Sequence, residues 1–451
     1  MNDVLNVRKF IYESHKESMI SYSEALEQIK SSISENHFKD LADLIDSKDS
    51  EQHIREIISK CIFEQSINVK DIGHELLVDR IYNDMAGFAF LTKYIYDETV
   101  EEINGNAWDD IEIITQSSGH LKLEEHFASP KHCIDIVRKM AKAGGVIIDG
   151  SQPAVDSYIE KGTRISAMIP PVVDEECGAV FSIRRQKNIT FTKEQLIDGG
   201  TATEDGLDFL SLCVKYGISL AVAGATGSGK TTDISYLLNQ IPDNYRVYSI
   251  EDSRELNLVK RDDTGRIVNR VIQTQTKAGL NANDLLKIAL RFDPDIIVPA
   301  EMRGSEAMTA QEAGRTGHTI LTTLHASTAL AAYTRILTMC MQSDTTLSEN
   351  VLMKLIIEAF PIMAFKKQLA DKSRKYMKII EALDYKDGKI KCRTLFRFVV
   401  TGKKEENGKI VSIEGFHKRE ENISQRLAER LLENGADLED ICKYVGGGWK
   451  V

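Results

Sequence analysis

The chain has 451 residues, 42% hydrophobic and 28% charged with only 8 prolines, a composition that suits a folded protein of two or three domains and excludes a disordered or fibrous one. Its formal net charge is −11, from 57 basic and 68 acidic residues, which argues against a broad nucleic-acid surface, because displacing counterions from phosphates takes an excess of Lys and Arg. The longest uncharged apolar run, Ile218 to Gly224, falls far short of the roughly 20 residues that span a bilayer, and MNDVLNVRKF at the start holds no apolar signal segment, so a cytoplasmic chain with peripheral membrane contact at most is expected.

Apolar residues recur at three- and four-residue spacing from Ser21 to Leu44 and from His53 to Phe63, and apolar content rises from Gly73 to Tyr96. Residues 1–100 are therefore expected to be helical, with a bundle over about 51–96. The pattern then changes. Ile103-Asn104-Gly105 reads as a turn, Ile111 to Ile114 as a strand and Cys133 to Ala143 as a helix. Arg164 to Ile169 and Ala179 to Arg184 read as strands, so 101–187 is expected to be a small α+β domain, PAS-like in outline. The polar run 188–205, with Gly199-Gly200, reads as a linker.

Over 206–451 strands alternate with helices, the signature of an α/β domain with a parallel sheet covered on both faces. Ile218 to Ala223 is a strand, Gly229 to Asn239 a helix, and Arg246 to Ile250 a strand. Asn283 to Arg291 is a helix, and Asp295 to Val298 and His318 to Leu324 are strands. Beyond Leu347 come helices and an antiparallel pair, Tyr376 to Asp384 with Lys389 to Phe398. The cysteines (Cys61, Cys133, Cys177, Cys213, Cys340, Cys392 and Cys442) are scattered without a C-x-x-C pair, which suits packing roles in a reducing compartment and no structural zinc.

The strongest signal is Gly224-Ala225-Thr226-Gly227-Ser228-Gly229-Lys230-Thr231, a full G-x-x-x-x-G-K-[ST] P-loop between an apolar strand and a helix. Glycines at 224, 227 and 229 let backbone N–H groups close on phosphate oxygens, and the helix turns its positive end to the anion. Lys230 is expected to reach the β- and γ-phosphates of ATP, and Thr231 to offer its hydroxyl to Mg²⁺, with Thr232 beside it.

Hydrolysis also needs a carboxylate near the γ-phosphate. Glu251 and Asp252, with Glu255, follow a strand at the end where α/β sheets bind ligands, although such acids also serve as solvated loop residues or helix caps. Glu301, in the block Asp293 to Gly304, follows an apolar run at a strand end and is the favoured catalytic acid. Glu255 and Glu301 join Thr231 as candidate Mg²⁺ ligands. His318 opens the next strand and His325 closes it; strand-end histidines are usually structural or exposed, but His318 is carried as a candidate nucleotide contact and His325 as the candidate γ-phosphate sensor.

Four blocks in this order, GATGSGKTT, SIEDSREL, ALRFDPDIIVPAEMRG and GHTILTTLHAST, resemble the type II/IV secretion ATPases, also called traffic ATPases. EEINGNAWDDIEI, GTRISAMIPP and AVFSIRRQ bring the chain nearest to the CpaF-like branch of tight-adherence pili, and the resemblance covers roughly residues 50–400. It implies a RecA-like core, a homo-hexameric ring, ATP held between two domains and an inner-membrane platform protein as partner. It further implies that Arg164, Arg184 and Arg185 reach phosphates, as a bidentate guanidinium can, and that Arg303 serves the same site. The family usually carries Val-Gly-Glu where this chain has Pro299-Ala300-Glu301, and Pro299 is expected at a strand end. The four-cysteine zinc module of type II motors has no counterpart, which favours the pilus and conjugation branches.

The expected function is an ATP-driven motor at the cytoplasmic face of the inner membrane, for secretion, pilus assembly or conjugation. Two other readings stay open: a DNA translocase on the same fold, which the acidic balance disfavours, and a nucleotide-switched scaffold with little turnover.

Overall fold

The computed structural model describes residues 19–36, 50–115, 119–160, 162–185, 191–277, 279–406 and 408–446. The helix expected from Ser21 to Leu44 is described as far as Asn36, and its remainder lies outside those residues. The chain divides at Lys187/Asn188 into two compact units.

The first unit opens with β1 (Met19–Ile20), α1 (Tyr22–Asn36), α2 (Ser50–Glu64), β2 (Asn68–Val69) and α3 (His74–Met85). Their apolar faces close on Ala25, Ile29, Ile58, Cys61, Leu77 and Ile81. The helix expected from 73 to 96 is broken in two. The Thr92 hydroxyl accepts the Phe88 N–H at 2.7 Å and closes a turn, so α4 (Leu91–Tyr96) starts anew.

A six-stranded antiparallel sheet follows, built from β3 (Val100–Ala107), β4 (Asp110–Thr115), β5 (Gly119–Lys122), β6 (Ala154–Glu160), β7 (Thr163–Met168) and β8 (Val180–Arg185) in the order β5-β4-β3-β8-β7-β6. Helix α5 (Pro130–Ala143) buries Cys133, Val137 and Met140 in the same core as the sheet residues Ile111 and Ile165. Ser129 caps it by accepting the His132 N–H at 3.1 Å. Ile103-Asn104-Gly105 is not a turn but the middle of β3. Gly105 stands opposite Phe181 on β8, and a Cβ there would come within 2.4 Å of the ring, so the glycine answers to close packing.

In the second unit the run 188–205, expected to be a linker, contains α6 (Lys193–Asp198), closed by a Thr192–Gln195 capping box. Its Leu196, 4% exposed, belongs to the core and Ile197 packs against it, which a polar run conceals from sequence reading. Then come α7 (Glu204–Lys215), β9 (Leu220–Gly224), α8 (Lys230–Asn239), β10 (Arg246–Glu251), β11 (Arg270–Gln275) and α9 (Ala282–Ala289). They are followed by β12 (Ile296–Pro299), α10 (Glu306–Arg315), β13 (Thr319–Leu324), α11 (Ala329–Cys340), α12 (Glu349–Ala359) and β14 (Ile362–Gln368). The last elements are β15 (Arg374–Lys386), β16 (Lys389–Glu406), β17 (Lys409–Arg419), α13 (Gln425–Glu433) and α14 (Leu438–Cys442).

One sheet runs β11-β10-β12-β13-β9-β14-β15-β16-β17; it is parallel from β11 to β14 and antiparallel beyond. Taking the strands that alternate with helices in chain order, β13 lies between the P-loop strand β9 and the Glu301 strand β12, which is the RecA-like order. The strands alternate between two cores. Leu220, Val222, Ile296 and Val298 face α7, α8 and α13, while Ala221, Ala223, Ile297 and Ile320 face α9 to α12. Strand β14, a direct neighbour of β9, had no clear sequence signal because Ile362–Gln368 is short and carries two lysines. Cys61, Cys133, Cys213 and Cys340 are buried as expected, whereas Cys442 is exposed on α14. No described helix is long and apolar enough to cross a membrane.

Candidate nucleotide-binding site

Strands β9, β10, β12 and β13 are parallel, so their C-terminal ends lie along one edge of the sheet. The P-loop leaves β9 at Gly224, and Lys230 begins α8. Gly227 (φ 77°) and Gly229 (φ 85°) are left-handed, a conformation that keeps successive amides turned to one point. Ala225, Thr226 and Gly227 form an exposed crest, while Thr231 and Thr232 are half-buried in the first turn of α8. The Ser228 hydroxyl donates to the Ala225 carbonyl at 2.8 Å and braces the crest. Lys230 donates through Nζ to the Gly224 and Ala225 carbonyls at 3.0 and 3.1 Å. Burial lowers its pKa, and Glu301 and Glu255 pull the other way.

Beyond the end of β12, Glu301 Oε2 accepts from Arg303 Nη2 at 2.8 Å. His325, just past β13, brings Nε2 to 3.1 Å from Glu301 Oε1, yet that oxygen is buried and completes no hydrogen bond. Burial alone would raise the Glu301 pKa, but the Arg303 hydrogen bond and the charges of Arg303, His325 and Lys230 hold it below the ordinary value. For His325, burial and then Lys230 lower the pKa against Glu301, so its imidazole is neutral at pH 7. Pro299 does end β12, and Ala300 packs against the core.

The acids after β10 differ from expectation. Glu251 does not face a ligand: it is 2% exposed, and its Oε2 accepts the N–H groups of Glu255 and Leu256 at 2.7 and 2.8 Å. Ser249 donates to its other oxygen at 3.2 Å. It shapes the loop that carries Asp252 and Glu255, and burial raises its pKa. Asp252 accepts from Thr276 Oγ1 at 2.9 Å and lies 3.4 Å from Arg303 Nη1. Glu255 is exposed, and its charge acts on Lys230 and Arg303. His318 stands at the other end of β13, about 20 Å from His325 by strand rise, on the edge away from the P-loop. It has no part in the cradle.

Arg164, Arg184 and Arg185 lie in the first unit. Arg164 donates through Nε to Asp156 at 2.7 Å, with Nη2 on the same carboxylate, and Ser166 adds a bond to Asp156 at 2.9 Å. Arg184 is exposed on β8 directly across from Arg164 on β7, so the two share a face. Arg185 has a buried Nη1 without a hydrogen-bond partner.

Two supporting residues escaped sequence reading. Glu306 Oε1 accepts the Arg303 and Gly304 N–H groups at 2.5 and 2.8 Å and fixes the turn that presents Glu301; an acid three residues after Arg303 was the only clue. Thr276, at the end of β11, was invisible because that strand was not recognised. No group of three His, Cys, Asp or Glu side chains that could hold a metal occurs among the described residues. Mg²⁺ does not need one, since it binds one or two protein oxygens together with phosphates and water. The ionised Glu301 with its unpartnered Oε1 and the Thr231 hydroxyl fit that chemistry.

The family described as "Type II/IV secretion system protein" matches residues 84–438. Uncharacterized protein MJ0900 of Methanocaldococcus jannaschii is 28% identical over 244 residues, 54% of this chain and 44% of that one. Type IV secretion system protein PtlH of Bordetella pertussis is 36% identical over 214 residues, 42% of this chain and 62% of that one. The chain thus spans between 44% and 62% of the length of these relatives. Among solved structures, the Legionella pneumophila ATPase DotB aligns with 64% of this chain and 79% of its own, at 18% identity and a TM-score of 0.48.

Proposed function

The chain belongs to the type II/IV secretion system protein family, and from that premise we propose that it is an ATPase whose hydrolysis of Mg²⁺-ATP drives a secretion, pilus-assembly or conjugation machine. The observation that carries this reading is Glu301, kept ionised by Arg303 and Lys230 at the sheet edge where the P-loop presents that lysine. On binding nucleotide, Lys230 leaves the Gly224 and Ala225 carbonyls for the β- and γ-phosphates, which its lowered pKa still permits because a phosphate favours the ammonium. Glu301 orients a water and takes its proton, and Arg303, anchored by Glu306, keeps the carboxylate aimed. His325, neutral beforehand, donates Nε2–H toward the γ-phosphate region and reports its presence. Thr231 and Glu301, with Glu255 at hand, would hold Mg²⁺, which would supply neutralisation of phosphate charge.

Arg164 and Arg184 form a two-guanidinium face that suits phosphate, and Asp156 holds Arg164 in reserve. The assembly this reading calls for is a homo-hexamer at the cytoplasmic face of the inner membrane, working on a membrane platform protein, with the tight-adherence pilus branch the nearest relation. ATP hydrolysis by the purified protein, measured beside Lys230→Ala and Glu301→Gln, with mass followed by light scattering with and without Mg²⁺-ATP, tests it. Binding lost in the first variant, turnover lost with binding kept in the second, and a six-subunit mass are expected. Turnover in Glu301→Gln equal to the parent's would overturn the catalytic assignment.

A further inference from the structure

In the second unit, the residues assigned above belong to β9, α8, β10, β12 and β13 and the turns that follow them, and they leave unexplained the strand on the other side of the P-loop. Lys366 is buried in β14 at 2% exposure, and its Nζ lies 2.6 Å from Oδ1 of Asp233, itself 1% exposed in the first turn of α8. Removing one partner of such a pair leaves an uncompensated buried charge, so the two hold each other in place. Lys366 also meets the P-loop at both ends. Strand register sets it opposite Gly224, where its carbonyl oxygen lies 2.2 Å from the position a Cβ would take. Its ammonium lies 3.3 Å from the corresponding position on Gly229.

Arg374, the first residue of β15, completes the enclosure. Its Nε–H donates to the Gly227 carbonyl at 2.8 Å, and its Cδ lies 3.3 Å from the Cβ position of Gly229. A phosphate nest needs its amides turned inward, which turns the intervening carbonyls outward, and the Gly227 carbonyl is the one that Arg374 grips. The two left-handed glycines, 227 and 229, are thus held from outside by one hairpin. Glycine is the residue whose backbone most needs such help, because it loses the most conformational freedom on becoming fixed.

We propose that Arg374 is a positioning residue for the nucleotide phosphates: by holding the Gly227 carbonyl it keeps the P-loop amides in their binding arrangement before nucleotide arrives, with the Lys366–Asp233 pair pinning the helix end of the same loop. This inference rests on the proposed function, since it takes the P-loop to bind nucleotide. A loop held in its binding form spends less ordering entropy on ligand capture, so the effect falls on affinity and not on chemistry. The full-length protein is titrated with a fluorescent ATP analogue in Mg²⁺, and KM, kcat and melting temperature are measured for the parent, Arg374→Ala, Arg374→Lys and Lys230→Ala. Arg374→Ala is expected to weaken nucleotide binding and raise KM by about 5- to 10-fold, the worth of one charge-assisted hydrogen bond, with kcat and melting temperature kept. Arg374→Lys, whose ammonium reaches the same carbonyl, recovers part of the loss. Parent affinity and KM in Arg374→Ala, while Lys230→Ala binds nothing, would overturn this inference and leave the proposed function standing. A parent that binds no nucleotide would overturn both.

Discussion

Strands β10 and β12 lie side by side and run in the same direction, and each brings a glutamate to the ligand-binding edge of the sheet: Glu251 as the last residue of β10, Glu301 two residues after β12. Their surroundings are opposite. Glu251 is buried, with its carboxylate spent on the N–H groups of Glu255 and Leu256, and burial raises its pKa. Glu301 is 23% exposed, keeps an oxygen without a hydrogen bond, and is held ionised by three cationic or dipolar neighbours, Arg303, His325 and Lys230. Topology brings an acid to the sheet edge, but the partners of its oxygens decide whether it can act on anything else. An acid whose lone pairs are filled by its own loop is a brace; one with a free oxygen and cations behind it is equipped to take a proton.

The largest effect that would sharpen this contrast is on turnover. Glu301→Gln is expected to lower kcat by about 10²- to 10⁴-fold, the usual worth of a general base. Glu251→Gln, which leaves the base in place and disturbs only the loop, should lower kcat by less than about 10-fold. Equal losses in the two variants, measured by steady-state phosphate release, would erase the distinction.

Stability should reverse the ranking. Glu251→Ala leaves the Glu255 and Leu256 amides without their acceptor, and at about 1–3 kcal/mol for a buried unsatisfied group the variant should lose at least 2 kcal/mol in denaturant unfolding. Glu301→Ala removes a carboxylate that braces no backbone and gives up its pairing with the exposed Arg303, so its change should stay within about 1 kcal/mol. A larger loss for Glu301→Ala than for Glu251→Ala would mean that the roles had been exchanged.

How much of this contrast the sequence could reveal depends on the residue. The P-loop was fully legible, because phosphate binding requires glycines at 224, 227 and 229 and a lysine at 230, and few other structures demand that spacing. The strands β9, β10, β12 and β13 were legible too, since each is built around a short uncharged run of mostly apolar and β-branched residues. Its place after the P-loop favoured Glu301 as the catalytic acid, but what Glu251 does instead could not be read in this way. Both follow an apolar run, and the difference lies in backbone amides four and five residues on and in an arginine whose aim depends on Glu306. His318 misled for a related reason: a histidine at either end of a strand looks alike in sequence, but only the C-terminal end faces the site. Lys366 and Asp233, 133 residues apart, have meaning only as a pair.

The pH dependence of stability should also split in sign. The Glu251 pKa is raised above its ordinary 4.5, so the folded state prefers the protonated form. Its cost to stability is absent below that value and grows as pH climbs from 4.5 through the folded pKa. Glu301 is lowered, so its contribution is present above 4.5 and is lost as pH falls through the folded pKa. Melting temperatures of the parent relative to Glu251→Gln should therefore fall with rising pH above 4.5, and relative to Glu301→Gln should fall with dropping pH below it. Parallel trends in both series would refute the contrast in environment.

The smallest expected effect isolates one neighbour of Glu301. Arg303 hydrogen-bonds the carboxylate at 2.8 Å and adds its charge, and after burial these are the largest influences on the Glu301 pKa. Both favour the ionised form. Arg303→Ala removes them and leaves burial opposed only by His325 and Lys230, so the pKa must rise. A base that protonates at higher pH loses activity sooner on acidification, and the acid limb of the kcat profile should shift to higher pH while the plateau near neutrality drops modestly. Arg303 is exposed and also contacts Asp252, whose exposed carboxylate would be left to solvent, so stability should barely change. An acid limb that stays where it was would mean that Glu301 is not the group titrating in the profile, and the search for the base would return to the acids after β10.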